Sequence, residues 1–304
     1  MPILTLTSDI GQRDYLVGAI KGQFVNLMPD LNILDITHYL SQTNFPQAAY
    51  TCNNAFRYYP PGTFHFIMVN LFETTRRYML VAKHKDQYII CPDNGILTMI
   101  AGGKPKEIIG IEMDKHQTLL EITQEVAFTI AHIQESGSLK GHGEPVTDME
   151  EKYPLRATVG PNWMEGQILF IDNFENVVIN ITREEFNEQR QGRSFKIVFK
   201  RNETIDTISD NYTSVAESEK LAWFNSAGYL EIALRNGNMA GLFGLQGYNE
   251  QMQQTGSASS NKWFYQTVRI AHSRLTTHFL LTTPDSPFPT FVRFPNCQYF
   301  CSLK

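Results

Sequence analysis

The carboxylates and amides of this chain that could do chemistry fall at the ends of apolar runs. Asp9 follows Ile3-Leu4-Thr5-Leu6-Thr7-Ser8 and is followed by Gly11 before helical spacing begins. A strand that hands over to a helix in this way leaves Asp9 at the strand's carboxyl end, where open α/β sheets bind ligands. Capping the next helix is the alternative role for an aspartate in that place. Cys-Pro-Asp-Asn-Gly at 91–95 puts Asp93 and Asn94 after another strand, either as ligand contacts or as a type I′ turn with Gly95. Asp-Asn-Phe-Glu-Asn at 172–176 offers Asp172, which as a carboxylate only accepts hydrogen bonds, and Asn176, whose amide both donates and accepts. These residue types also build ordinary turns. Ser226 and Asn-Gly-Asn-Met-Ala at 236–240, which contains Asn238, read as further polar contacts or as a tight hairpin connection. Glu73 and Glu121 are carboxylates able to take a proton from water, against the default of a solvated surface charge. His38 and His65, in or beside strands, read as hydrogen-bonded structural histidines.

The elements that must position these residues change character along the chain. Up to about residue 135, strand-like runs at 33–36, 64–69, 79–82, 88–90 and 107–111 alternate with helical patterns at 17–27, 48–58 and 126–135. That alternation predicts an α/β domain over residues 1–140, with a mostly parallel sheet flanked by helices. Residues 141–164, rich in Gly, Pro and charge, read as a linker. Short strands at 167–172, 177–181, 194–199, 229–234 and 263–270, with little helix between them, predict a smaller all-β C-terminal domain over 165–270. The polar stretch 246–262 reads as a loop, and residues 271–304, without a period of two or 3.6, as an irregular or disordered tail.

Composition narrows the function classes. The 304 residues carry a formal charge of −5, which gives no basic field for a phosphate backbone, so a small molecule is the expected partner and nucleic acid is not. The start Met-Pro-Ile-Leu-Thr lacks a basic n-region and a long apolar core, and no run of eighteen apolar residues occurs, so a cytoplasmic protein without a membrane span is expected. The four cysteines, Cys52, Cys91, Cys297 and Cys301, have no finger spacing and read as reduced, structural thiols. No glycine-rich dinucleotide fingerprint follows the first strand and the histidines lack zinc-like spacing, so neither a metal nor a redox cofactor is expected.

Taken in order, the segments around Asp9, 69–77, 91–97, 171–181 and 225–240, together with Asp-Ile-Thr-His at 35–38, resemble the S-adenosylmethionine hydroxide adenosyltransferase family, relatives of fluorinase and chlorinase. The resemblance spans roughly residues 3–270. It implies an α/β domain followed by a β domain, a homotrimer with sites between subunits, and cleavage of S-adenosylmethionine by water at the 5′ carbon to give adenosine and methionine. It also implies that Asp9 takes the ribose hydroxyls, that Asp172 faces the methionine ammonium, and that Asn176 reads the adenine edge. Asp93, Asn94, Ser226 and Asn238 would supply further substrate contacts, and S-adenosylmethionine is the substrate rather than a cofactor.

The water-activating set departs from the family pattern. The family's Asp in Asp-Pro-Gly-Val-Gly aligns with Asn70, and the turn has become Leu71-Phe72-Glu73-Thr74. Arg76 is the counterpart of the family's arginine, with Arg77 the alternative. Counting back from Ala131-His132 places Glu121 where the family has the histidine of His-Gly-Arg-Asp. An amide cannot take a proton, but a sulfonium is an activated leaving group, and the site mainly has to align and desolvate water. The expectation is therefore a hydrolase in which Asn70 orients the water, Arg76 holds the geometry and Glu121 or Glu73 acts as base. The alternative is a non-catalytic protein that binds S-adenosylmethionine or adenosine. Halide chemistry is a third option, for which nothing in the sequence specifies a pocket.

Overall fold

A computed structural model describes residues 1–73, 78–200, 203–243 and 267–273. Arg76, the 246–262 stretch, Cys297, Cys301 and the tail beyond Ser273 lie outside the described residues.

The first unit is a seven-stranded sheet built from β1 (Ile3–Ser8), β2 (Asn32–Thr37), β3 (Phe64–Met68), β4 (Tyr78–His84), β5 (Gln87–Pro92), β6 (Glu107–Glu112) and β7 (Glu144–Pro145), in the order β2-β1-β3-β5-β4-β6-β7. β2, β1, β3 and β5 pair in parallel, whereas β4 runs against both β5 and β6. The direction of β6 is thus that of β5, and the sheet is mostly parallel, as its alternation of strand and helix patterns predicts.

Helices α1 (Leu16–Leu27) and α4 (Leu119–Ser136) cover one face, and α2 (Phe45–Phe56) and α3 (Ile96–Ala101) the other. The period of two along β3 and into the next residue feeds both layers: Phe64, Phe66 and Met68 join the core under α1 and α4, and Ile67 and Val69 the core under α2 and α3. α1 buries Val17, Ile20 and Phe24, the i, i+3, i+7 stripe expected of a helix on a sheet.

The second unit is an antiparallel sheet of β8 (Thr158–Gly160), β9 (Trp163–Ile171), β10 (Val177–Thr182), β11 (Phe195–Lys200), β12 (Glu203–Ile205), β13 (Lys220–Phe224), β14 (Tyr229–Leu234) and β15 (Thr267–His272). Its order is β12-β11-β15-β9-β10-β14-β13, with β8 beside β9. The two end strands touch, so the sheet curls almost into a barrel around Met164, Ile179, Ile197, Ile232 and Ile270. Two short helices, α5 (Arg183–Arg190) and α6 (Met239–Leu242), hang on this sheet. The stretch 141–164 supplies β7 to the first sheet and β8 with the start of β9 to the second, and β15 runs two residues past Ile270.

Three helical features escape the periodicity of the sequence. α3 has no amphipathic stripe because Ile96 to Ile100 are all buried; it is bounded instead by Gly95 and Gly102 in left-handed conformations. α5 is polar apart from Phe186 and is set by a capping box between Thr182 and Glu185. α4 begins seven residues before Val126, because Thr118 and Glu121 form a second capping box.

Candidate functional site

The loop that carries Asp9 is fixed from both sides. Asp9 N–H donates to the Met68 carbonyl at 3.2 Å and Gly11 N–H to that of His38 at 2.7 Å. Gly11 holds a φ of 73°, a left-handed conformation that favours glycine. Beneath it Ser8 Oγ and His38 Nδ1 are 2.7 Å apart, and His38 Nε2 lies 3.2 Å from Asp35, which also pairs with Lys21. His38 is thus a buried, hydrogen-bonded histidine, its basicity lowered chiefly by burial.

Asp9 receives the Asn70 backbone N–H on Oδ2 at 2.8 Å. Burial raises the Asp9 pKa, and that hydrogen bond opposes the rise. Asn70 itself stands at φ 53°, one of the few residue types that tolerates this conformation. Asp9, Asn70 and Glu73 line a cavity of about 360 Å³ with Gln42, Phe72 and Leu119. Among the described residues, none of the second sheet lines it.

Asp172, Asn176 and Ser226 converge on a second, larger cavity of about 930 Å³ at the second sheet. Asp172 closes the β9–β10 turn: its Oδ1 accepts from Phe174 N–H at 2.9 Å and Asn176 N–H at 2.8 Å, and Glu175 takes a φ of 61°. Residues 172–176 thus form a turn, and Asp172, Phe174 and Asn176 of that turn line the cavity. Phe170, Phe174, Trp223 and Phe224 supply aromatic walls, with Tyr50 the single contribution from the first unit among the described residues. Tyr50 stacks on Phe170 with centroids 5.6 Å apart and accepts a hydrogen bond from Asn225 Nδ2 at 3.2 Å. Burial pushes its phenol up to about 12.

The remaining sequence candidates stand elsewhere. Asp93 is fully buried and accepts from Glu150 N–H at 2.8 Å. Asn94 donates to the carbonyls of Val69 at 2.9 Å and Asn70 at 3.4 Å, and accepts from Ile96 N–H, so it fastens the Asn70 turn from behind. Neither lines the Asp9 cavity. Glu121 is exposed on α4 and accepts from Thr118 N–H at 2.7 Å and Thr118 Oγ at 2.8 Å, which holds its carboxyl below the usual range. Asn238 caps α6 by accepting from Gly241 N–H, while its neighbours Asn236 and Gly237 line the large cavity. His65 shares a 2.7 Å hydrogen bond with Thr5 and stacks on Phe56 at 3.7 Å, and burial drops its pKa to about 4. Cys52 and Cys91 are free, buried thiols raised by burial. Among the described residues no three His, Cys, Asp or Glu side chains are grouped to hold a metal ion, and no helix is long and apolar enough to cross a membrane.

Sequence reasoning passed over Tyr50, Trp223 and Glu231. Glu231 lies on β14 between Leu230 and Ile232, whose side chains enter the barrel core, so its own side chain takes the opposite face of the sheet, where it is buried all the same.

Residues 4–143 match the SAM hydroxide adenosyltransferase N-terminal domain, and residues 166–251 match the C-terminal domain of the same family. The chain belongs to the SAM hydroxide adenosyltransferase family. A family relative from Methanocaldococcus jannaschii, named (R)-S-adenosyl-L-methionine hydrolase, is 24% identical over 241 residues, covering 77% of this chain and 88% of its own. A protein from Actinopolyspora mzabensis named fluorinase is 24% identical over 276 residues, covering 79% and 92%. The fold matches that of an uncharacterized conserved protein from Thermotoga maritima with a TM-score of 0.72 at 24% identity, over 88% of this chain and 99% of that one.

Proposed function

We propose that this family member hydrolyses S-adenosylmethionine to adenosine and L-methionine. The observation that carries the reading is the convergence of Asp172, Asn176 and Ser226, three positions to which the family resemblance gives substrate contacts, on one aromatic-walled cavity. Its volume is that of a site for a small organic molecule, and the hydrolase names of relatives such as that from Methanocaldococcus jannaschii point to the same chemistry.

The reaction is an in-line displacement. Water oxygen bonds to the 5′ carbon, the C5′–S bond breaks, its electron pair stays on sulfur, and methionine leaves as a neutral thioether. One proton must leave the attacking water. Of the two candidate glutamates, Glu73 lines the Asp9 cavity whereas Glu121 is engaged by its own helix cap, so we assign the proton to Glu73. Asn70 orients the water and Arg76, three residues beyond Glu73, holds the geometry. Asp9 takes the ribose diol.

The family resemblance implies a homotrimer with sites between subunits, and the separate linings of the Asp9 and Asp172 cavities fit a site in which the first half-site of one copy meets the second of its neighbour. The test is incubation with S-adenosylmethionine in ¹⁸O-water. Equimolar methionine and adenosine carrying ¹⁸O in the 5′-hydroxyl are expected. Adenosyl binding without products would leave a binding protein with no hydrolase activity, and unlabelled adenosine would exclude water as the nucleophile.

A further inference from the structure

The large cavity contains a buried carboxylate to which neither the resemblance nor the proposed reaction gives a role. Glu231 and Asn176 are each 4% exposed, and both line that cavity. Asn225 Oδ1 accepts from the backbone N–H groups of Ala227 at 3.0 Å and Tyr229 at 3.2 Å, so its amide nitrogen must face the other way, where it donates to Glu231 Oε2 at 3.0 Å. Trp223 Nε1, which can only donate, points at Glu231 Oε1 at 3.1 Å. Both oxygens of Glu231 are therefore committed as acceptors. Asn176 meets Glu231 Oε1 at 3.1 Å and Asp172 Oδ2 at 3.1 Å, and only its amide nitrogen can satisfy two acceptors. Its Oδ1 is then turned away from both carboxylates, buried and without a hydrogen-bond partner among the described residues.

We infer that Glu231, together with Asp172, is a specificity-determining positioning residue: it locks the Asn176 amide so that Asn176 accepts from the ligand's base edge and does not donate to it. The inference rests on the adenosyl-binding reading and narrows it to purines that carry an N–H donor at position 6. Adenine offers an exocyclic amine there. Hypoxanthine and guanine offer a carbonyl, which would face the Asn176 oxygen acceptor to acceptor. A free asparagine would discriminate poorly, since its amide turns over to suit either base; the two carboxylates remove that freedom. An unmet buried acceptor costs about 1–3 kcal/mol, so adenosine should bind about 10- to 100-fold more tightly than inosine.

The experiment is calorimetric titration of the full chain with adenosine, inosine and purine riboside, which lacks any group at position 6. In the wild type the expected order is adenosine, then purine riboside, then inosine. W223F should leave the adenosine-to-inosine ratio unchanged, and W223F/D172N/E231Q, in which no indole donor opposes an amide nitrogen at the place of Glu231 Oε1 and both new amides can donate to a reversed Asn176, should bring it within about threefold. Asparagine at 172 keeps an acceptor for the turn N–H groups, and circular dichroism checks the fold of each variant. A residue with a merely structural role would weaken both nucleosides alike. Wild-type affinities for adenosine and inosine within threefold would overturn the inference while leaving the adenosyl reading intact, and this arm needs no variant. An unchanged ratio in folded W223F/D172N/E231Q would overturn the role of Glu231. Failure of the wild type to bind adenosine at all would overturn the adenosyl reading, and the inference with it.

Discussion

Replacing Asp9 with Asn tests the first half-site. The side chain keeps its shape, but the amide has one acceptor oxygen where the carboxylate has two. Asp9 Oδ2 already receives Asn70 N–H at 2.8 Å, so only the second oxygen and the negative charge are left for a ligand diol. In D9N the amide oxygen serves either Asn70 or the ligand, and its NH₂ opposes a donor on the other side. Hydrogen bonds to a charged acceptor contribute about 1.5–3 kcal/mol each. Losing the charge and one acceptor should therefore remove about 2–4 kcal/mol, a fall of about 30- to 1,000-fold in kcat/KM for S-adenosylmethionine. The assay pairs this rate with the affinities for adenosine and 2′,3′-dideoxyadenosine. The penalty should appear with adenosine and vanish with the dideoxy analogue, because only the former presents hydroxyls to Asp9. Burial raises the Asp9 pKa, so wild-type affinity for adenosine should start to fall with decreasing pH above the usual carboxylate range, and D9N should lose that limb. An equal penalty with both ligands, or one below threefold, would refute the placement of the diol at Asp9.

Three further outcomes follow from other parts of the molecule. E73Q should lower kcat by at least tenfold with little change in KM, whereas E121Q, whose amide oxygen still accepts from Thr118, should retain turnover; the reverse pattern would move the base to α4. His65, buried with a pKa near 4 against an unfolded value near 6.5, binds its proton only on unfolding in that window. Its contribution is thus complete above pH 6.5 and lost as pH falls toward 4, by about 3 kcal/mol; urea titrations should show this slope in the wild type and its absence in H65Q. A methyl group at Gly166 would sit 2.6 Å from Ile179 Cγ2 and 2.7 Å from Ile181 Cγ1, so G166A should lower the unfolding free energy by about 1–3 kcal/mol, and an unchanged denaturation midpoint would contradict the β9–β10 packing.

The sequence by itself determined the two architectures, because each rests on a local period. Alternation of apolar strands with helical stripes up to residue 135 allows only a sheet with helices on both faces, and the short β-spaced runs after 165 allow only an antiparallel sheet. The strand ends that carry Asp9 and Asp172 were legible for the same reason: an apolar run that stops at a polar residue marks its own carboxyl end. α3 and α5 were not, since a helix buried all round and a helix polar all round both lack the stripe that betrays one.

The tertiary structure alone decided which polar residues share a space. Asp93 and Asn94 look like Asp172 and Asn176 in sequence, yet the parallel sheet carries Asp93 into contact with Glu150 N–H and sets Asn94 behind the Asn70 turn, while the curled second sheet opens Asp172 and Asn176 onto a cavity. Tyr50 reaches that cavity from 120 residues upstream through the packing of α2 against β9. Glu231 owes its role to donors from Trp223, Asn225 and Asn176. The orientation of an amide is a property of all its neighbours at once, and those neighbours are assembled only when β10, β13 and β14 pair.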